Sequence, residues 1–318
     1  MRKRGWAVAR LFISLSVLGF VLATIGVEQI GRTLLQAALL PLLLAFLMYV
    51  AGIVVRAARW RALLVALNIH VPFGRLVYLY FVGAFFNAFL PSGFGGDVVR
   101  VLELAQDTQA AAAVGTVVVD RMTGLLVLFA MALAALPFGG ALLPAETQLT
   151  IGGAALVGLV LGGLVLQGKW LRRLGRWLPG PLSLAGEGAL ARAYAAVTAC
   201  GWRAVGQALL YSVVFNSLLV VLNYLSAYAV GMRLSLVYFF LFVPVLSLAL
   251  MLPISVGGLG VREGVAVVLF TQAGVSDAIA VAASLAVFAV SRATSLFGGL
   301  LYLGQSIRGL KGPSARPE

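Results

Sequence analysis

The chain has 318 residues, 62% of them hydrophobic and only 10% charged, with a mean hydropathy of +1.06. An average soluble domain is about 45–50% apolar and about 25% charged, so this composition excludes a soluble enzyme, a disordered chain and a disulfide scaffold, and leaves an all-α polytopic membrane protein. The net charge of +13 recurs in short clusters between apolar runs, which is the pattern of cytoplasmic loops and not of a nucleic-acid surface.

A spanning helix needs about 20 apolar residues to cross a hydrocarbon layer about 30 Å thick. The first candidate is 6–26. Arg2-Lys3-Arg4 ahead of it and Val21-Leu22-Ala23 within it would also suit a signal peptide, but Arg10 interrupts the run and its length favours a retained helix. The second span is 37–55. Residues 76–90 follow, and 15 apolar residues are too short to span upright at about 1.5 Å per residue; they run into a Gly-rich segment. Spans at 109–137, 149–167 and 204–230 come next. Residues 235–252 again run into a Gly-rich segment, and 277–304 is the last span, which makes about six full spans in all.

Orientation follows from the basic residues. Arg2, Lys3 and Arg4 precede the first span; Arg56, Arg59, Arg61 and Arg75 follow the second; Lys169, Arg172, Arg173, Arg176, Arg192 and Arg203 lie in 168–203; Arg308, Lys311 and Arg316 form the tail 308–318. These hold 16 of the 23 basic residues and are expected to be cytoplasmic, with both termini inside. All five Trp (Trp6, Trp60, Trp170, Trp177, Trp202) adjoin these segments, as interfacial anchors do. Trp170, Leu171, Leu174, Trp177 and Leu178, mixed with Arg172, Arg173 and Arg176, also read as a basic surface-lying stretch drawn to anionic lipid.

Such an orientation requires 76–108 to enter from the cytoplasm and return to it, and 235–276 to enter from outside and return outside. Two re-entrant hairpins from opposite faces define two inverted-topology repeats: 1–137, then an external connector 138–148, then 149–307. Sequence similarity agrees. Leu90-Pro91-Ser92-Gly93-Phe94-Gly95-Gly96-Asp97 matches Leu252-Pro253-Ile254-Ser255-Val256-Gly257-Gly258-Leu259-Gly260, and Asp120-Arg121 matches Ser291-Arg292. Broken helices in equivalent positions of inverted halves point to a substrate path near the midplane.

The candidate chemistry sits at these hairpins. Pro91 and Pro253 end the entering helices, and the glycines after them let a ligand approach the backbone. Ser92, Gly93, Gly95, Gly96, Asp97 and Arg100 on one side, and Ser255, Gly257, Gly258, Gly260, Arg262 and Glu263 on the other, are the expected pathway. Free N–H groups where the return helices begin would suit an anion such as phosphate. Arg121 and Arg292 lie deep within their spans, at a cost of at least about 2.5–3.5 kcal/mol each, and the planar guanidinium matches phosphate. The competing reading is structural ion pairing, which for Asp120 and Arg121 or Arg262 and Glu263 needs partners elsewhere, because adjacent helix residues do not face each other. Asp97, Glu103, Asp107, Asp120 and Glu263 cluster around the hairpins; Glu28, Glu146, Glu187, Asp277 and His70 read as loop or helix-end residues.

One Cys, Cys200, and one His, His70, build neither a disulfide nor a His/Cys metal site. No P-loop, H-E-x-x-H or G-x-S-x-G pattern occurs, so no enzyme activity, no ATP hydrolysis and no cofactor are expected of this chain. The expected partners are membrane lipids and no nucleic acid. A membrane enzyme served by this chain stays open as a partner, and oligomeric state is not legible.

Taken together, Arg56…Arg59-Trp60, Phe86-Asn87…Leu90-Pro91-Ser92-Gly93…Gly95-Gly96-Asp97…Arg100, Asp120-Arg121…Gly124 and Pro253…Gly257-Gly258-Leu259-Gly260…Arg262-Glu263 resemble the lysylphosphatidylglycerol synthase transmembrane (flippase-like) family, over nearly the whole chain. The resemblance implies a bacterial or archaeal cytoplasmic-membrane protein that moves polar, anionic or aminoacylated lipids between leaflets. Bifunctional members add a soluble domain that transfers an amino acid from tRNA to phosphatidylglycerol; residue 318 falls just after the last span, which argues against that second activity. A proton-coupled carrier of a soluble or polyprenyl-linked anion, and an accessory subunit delivering lipid to an enzyme, are the alternatives.

Overall fold

The computed structural model describes residues 27–89, 95–105, 108–139, 144–167, 189–251 and 258–310, and every regular element among them is an α-helix. In chain order these are α1 (Val27–Leu35), α2 (Leu39–Ala66), α3 (Phe73–Phe89), α4 (Gly95–Leu104), α5 (Ala110–Gly139), α6 (Ala145–Gln167), α7 (Ala189–Ala199), α8 (Gly201–Ala229), α9 (Leu236–Met251), α10 (Val261–Thr271) and α11 (Asp277–Leu310). Five of them, α2, α5, α6, α8 and α11, are long and apolar enough to cross a membrane, at the positions where spans were expected. The expected span 6–26, most of the loop 168–203 and the tail from 311 lie outside the described residues, as do the hairpin tips with Pro91, Ser92, Gly93, Pro253, Ser255 and Gly257.

Helix lengths recur in order. α2 to α5 have 28, 17, 10 and 30 residues, and α8 to α11 have 29, 16, 11 and 34. At about 1.5 Å per residue, α3 and α9 reach only about 25 Å, short of the hydrocarbon thickness of about 30 Å. Each is followed by a helix about half as long. The packing also has a twofold pattern. α2 lies along α8, α3 packs on α11, and α9 packs on α5, so each short helix leans on the last helix of the other set. Apolar side chains on the outer faces, such as Leu43 and Leu47 on α2, Leu156 and Leu161 on α6, and Leu300 and Leu303 on α11, are exposed, as lipid-facing positions are.

Two expectations are corrected by these helices. The span expected at 37–55 continues to Ala66, because no Gly or Pro interrupts the chain between Gly52 and Pro72 and Ala57, Leu63 and Leu64 bury a continuous apolar face. Arg56, Arg59 and Arg61 are therefore helical, not loop, residues. Trp60 is fully buried and its Nε1–H donates to Thr116 Oγ1 at 3.1 Å, so it is a core residue and not an interfacial anchor. Trp202 is exposed, in keeping with an anchor.

The end of the loop 168–203 does not lie free on a surface. α7 packs on α5 and α6, with Tyr194 and Val197 buried and the Tyr194 hydroxyl donating to the Val165 carbonyl at 3.3 Å. Cys200, at the α7–α8 junction, is buried with them, and that burial pushes its thiol up to about 11. Arg203 belongs to the first turn of α8.

Candidate functional site

Charged side chains occupy the interior where α2, α3, α4 and α5 meet. Asp97 stands in the first turn of α4, where a carboxylate suits the helix dipole, and Arg100 lies three residues on, on the same face. Asp120 lies well inside the span α5. Its Oδ1 accepts from Arg59 Nε at 2.7 Å, and its Oδ2 from the Tyr80 hydroxyl at 2.6 Å and Arg100 Nη2 at 3.4 Å. Asp97 accepts from Arg100 Nη1 at 3.2 Å and from Arg121 Nε. The Arg100 guanidinium is held between two aromatic faces, 3.7 Å from the Tyr80 centroid and 4.2 Å from that of Trp60. Arg59 also donates to Ser212 Oγ of α8 at 2.8 Å. Four elements and α8 are thus tied through two carboxylates.

Among the described residues, guanidiniums outnumber carboxylates here. Arg56 lies 4.8 Å over Tyr80 and 5.2 Å over Phe215, its buried Nε has no hydrogen-bond partner, and no ion pair to it occurs among the described residues. With Arg59, Arg100 and Arg121 it sets four cations against Asp97 and Asp120. Cation–π contacts, worth up to about 2 kcal/mol when desolvated, stabilise Arg56 without neutralising it.

The second hairpin is built otherwise. Gly258 and Gly260 hold φ of +83° and +80°, a conformation open to Gly and strained for other L residues. Gly260 caps α10, and the buried Glu263 carboxylate accepts its N–H at 2.7 Å and the Ser284 hydroxyl at 3.2 Å. Arg262 and Arg292 both approach the ring of Phe288, at 5.9 and 4.4 Å.

Of the residues expected on the pathway, Asp97, Arg100, Asp120 and Arg121 come together, with Gly95 and Gly96 buried beside them, and Gly258, Gly260, Arg262, Glu263 and Arg292 form a second group. One expectation is corrected. The N–H of Gly96 is taken by Asn87 Oδ1 at 2.7 Å and that of Gly260 by Glu263, so neither is free for an anion. Structural pairing, the competing reading, holds for Arg100 and Arg121. The sequence reading missed Arg56, Arg59 and Tyr80 as site residues, and on α8 Ser212 and Asn216, whose Nδ2 donates to the Gly124 carbonyl of α5 at 3.3 Å. The signal for the arginines was the uninterrupted helical stretch past residue 55; Ser212 and Asn216 give none until α8 is docked. No group of three or more His, Cys, Asp or Glu that could hold a metal occurs among the described residues.

The UPF0104 membrane protein PH1989 of Pyrococcus horikoshii is 28% identical to this chain over 116 residues, 35% of this chain and 35% of that protein. The aligned part is thus about a third of the relative's length. The lysylphosphatidylglycerol synthase TM region matches residues 7–299, which takes in both helix sets and both charged groups. The chain is a multi-pass membrane protein, and it belongs to the lysylphosphatidylglycerol synthase transmembrane-region family.

Proposed function

We propose that this protein moves a polar lipid, anionic or aminoacylated, between the leaflets of a bacterial or archaeal cytoplasmic membrane, without hydrolysing ATP and without acting as an enzyme. The observation that carries the reading is the group of four guanidiniums, Arg59 and Arg100 buried and Arg56 and Arg121 partly buried, around two buried carboxylates. Both acids are already occupied by arginines, so the surplus charge favours a headgroup with a phosphate. A lipid would keep its tails in hydrocarbon while guanidiniums replace the water around its headgroup, avoiding the burial of an unpaired charge. Direction comes from a gradient or from consumption on one side, since binding alone only shifts populations.

Purified protein in liposomes is expected to speed the exchange of headgroup-labelled phosphatidylglycerol between leaflets without ATP. Arg56→Gln should slow that exchange at least tenfold while leaving folded yield near wild type, because Arg56 anchors no ion pair. If no lipid exchanges faster than in empty liposomes while a soluble anion accumulates under a pH gradient, the protein is a proton-coupled carrier. If neither moves, delivery of lipid to a partner enzyme becomes the better reading.

The proposed orientation has 168–203 and both termini cytoplasmic, the α3–α4 hairpin entering from inside and the α9–α10 hairpin from outside. Glu146→Cys and Ser314→Cys are expected to label with a membrane-impermeant maleimide from opposite sides. The native background is low: with the Cys200 thiol near 11, its thiolate fraction at neutral pH is about a hundredfold below that of an ordinary thiol, and the thiolate is the reactive form. Cys200 labelling should therefore rise about tenfold per unit as pH increases. Same-side labelling of the two new cysteines would overturn the inverted arrangement.

A further inference from the structure

The two hairpins carry the same arginine in different company. Counting from the glycine pairs Gly95-Gly96 and Gly257-Gly258, the fifth residue after the first glycine is Arg100 in one half and Arg262 in the other. Arg100 is neutralised by Asp97 and Asp120. The positions that correspond to those two acids hold Leu259 and Ser291. The second half has kept the cation and lacks both of its counter-charges.

The surroundings of Arg262 agree. Its Nε and Nη1 are buried and have no hydrogen-bond partner, and no ion pair to it occurs among the described residues. Glu263, next in sequence, lends Arg262 an opposite charge through space, but its carboxylate is engaged by the Gly260 N–H and Ser284 and accepts from neither Nε nor Nη1. Arg292 lies over the same Phe288 ring. Arg262 also lines a cavity of about 10 Å³ with the polar side chains of Asn223 and Ser284 and the apolar Phe239, Leu246 and Phe270. That is room for about one water-sized group. A guanidinium does not escape burial by losing its proton, and buried donors left without acceptors cost stability.

We propose that Arg262 is an anion-binding residue, and that one oxygen of a phosphate-type oxyanion takes the place that Asp97 and Asp120 fill on Arg100. The inference rests on the lipid-translocation reading for the source of that phosphate, and deepens it by placing the receiving residue in the second half. A phosphate diester of a lipid headgroup and free phosphate share this chemistry.

The test uses the full-length protein in detergent micelles, with thermal unfolding followed by tryptophan fluorescence. The probes are phosphatidylglycerol, uncharged diacylglycerol and inorganic phosphate. Wild type should gain several degrees with phosphatidylglycerol and nothing with diacylglycerol. A matching gain with inorganic phosphate identifies a soluble source, and no such gain identifies the lipid. Arg262→Gln should lose the gain, with at least a tenfold weaker apparent affinity, and should unfold without lipid no lower than wild type, because it removes buried donors that have no acceptor. Arg100→Gln should unfold lower, because it leaves two carboxylates short of a partner. Ser291→Asp restores an acid at the position corresponding to Asp120, so it should raise the lipid-free unfolding temperature and abolish the response to phosphatidylglycerol.

The proposal is overturned if wild type responds to neither anion. It is overturned equally if Arg262→Gln keeps the response, or if Arg262→Gln without lipid falls as far as Arg100→Gln. Should Arg262→Gln fail to fold, Ser291→Asp decides: an unchanged response to phosphatidylglycerol overturns the proposal. Failure of the translocation reading is separate, and shows as wild-type binding that depends on Arg262 together with no exchange in liposomes.

Discussion

Asp120→Asn is expected to yield little folded protein. The substitution keeps the size of the side chain and removes the charge that Arg59 meets at 2.7 Å and Arg100 at 3.4 Å, inside a core where Asp120 is 1% exposed. Removing one member of a buried pair leaves its partner's charge uncompensated, at a cost of about 3–5 kcal/mol. Here two guanidiniums lose their acceptor at once, beside Arg56, which already has none. The whole stability of a typical domain is only about 5–15 kcal/mol. Size-exclusion chromatography of detergent extracts reads the result: a monodisperse wild-type peak and an aggregated or missing one for Asp120→Asn. Arg59→Gln should be milder, since Asp120 keeps Arg100 and Tyr80. Equal yield of wild type and Asp120→Asn would show that this ion pair does not hold the core.

Gly96→Ala should be nearly as damaging, for a steric reason. A Cβ at residue 96 would strike the Gly83 carbonyl, lying 2.6 Å from its carbon and 2.7 Å from Asn87 Nδ2. Those atoms are backbone and a hydrogen-bonded amide, so neither yields as a flexible side chain would. On its other side, α3 meets α11 in the same way, where a Cβ at Gly298 would strike the Phe81 carbonyl and lie 2.6 Å from its carbon. Small residues at such crossings let helix backbones approach closely in a membrane, where no hydrophobic force drives helices together. Gly96→Ala and Gly298→Ala are each expected to lower the unfolding temperature by several degrees and to cut lipid exchange at least tenfold. Gly31→Ala, where the added Cβ meets nothing within 4 Å, is the control and should leave both unchanged. A tolerated Gly298→Ala would mean that α3 and α11 are free to separate.

Much of this was legible in the sequence because lipid imposes simple rules. Apolar length located α2, α5, α6, α8 and α11, and stretches too short or too broken to span located α3 and α9. Deep acids and arginines marked Asp97, Arg100, Asp120 and Arg121 as a group worth explaining. What the sequence could not give was partnership. Arg59 and Asp120 are 61 positions apart and Arg59 and Ser212 are 153 apart, and no spacing rule joins residues on separate helices. Arg56 and Arg59 were read as loop because charge is the usual sign that a span has ended; α2 continues because Asp120 and the faces of Tyr80 and Phe215 receive them. The expectation of free N–H groups fails at Gly96 and Gly260 for a similar reason. Whether an N–H is free depends on one nearby side chain, and Asn87 and Glu263 each supply it.

The crossed packing of α3 on α11 and α9 on α5 bears on how the chain is assembled. α3 and α4 leave the ribosome with their arginines well before α8 and α11 have been synthesised. Until then Arg59 has no Ser212 to meet, and the Phe81 carbonyl has no Gly298 against it. The early helices must therefore wait, held by water, by the insertion machinery or at the membrane surface, for the second helix set to cover them. A ribosome that stops between the two helix sets would release a segment whose Arg59, Arg100 and Arg121 already meet Asp97 and Asp120, but whose Arg59 lacks Ser212 and whose Arg56 lacks the face of Phe215. The ion pairs of the site are thus made within the first helix set, and the second set closes around them, bringing Ser212 to Arg59 and Gly298 against the Phe81 carbonyl.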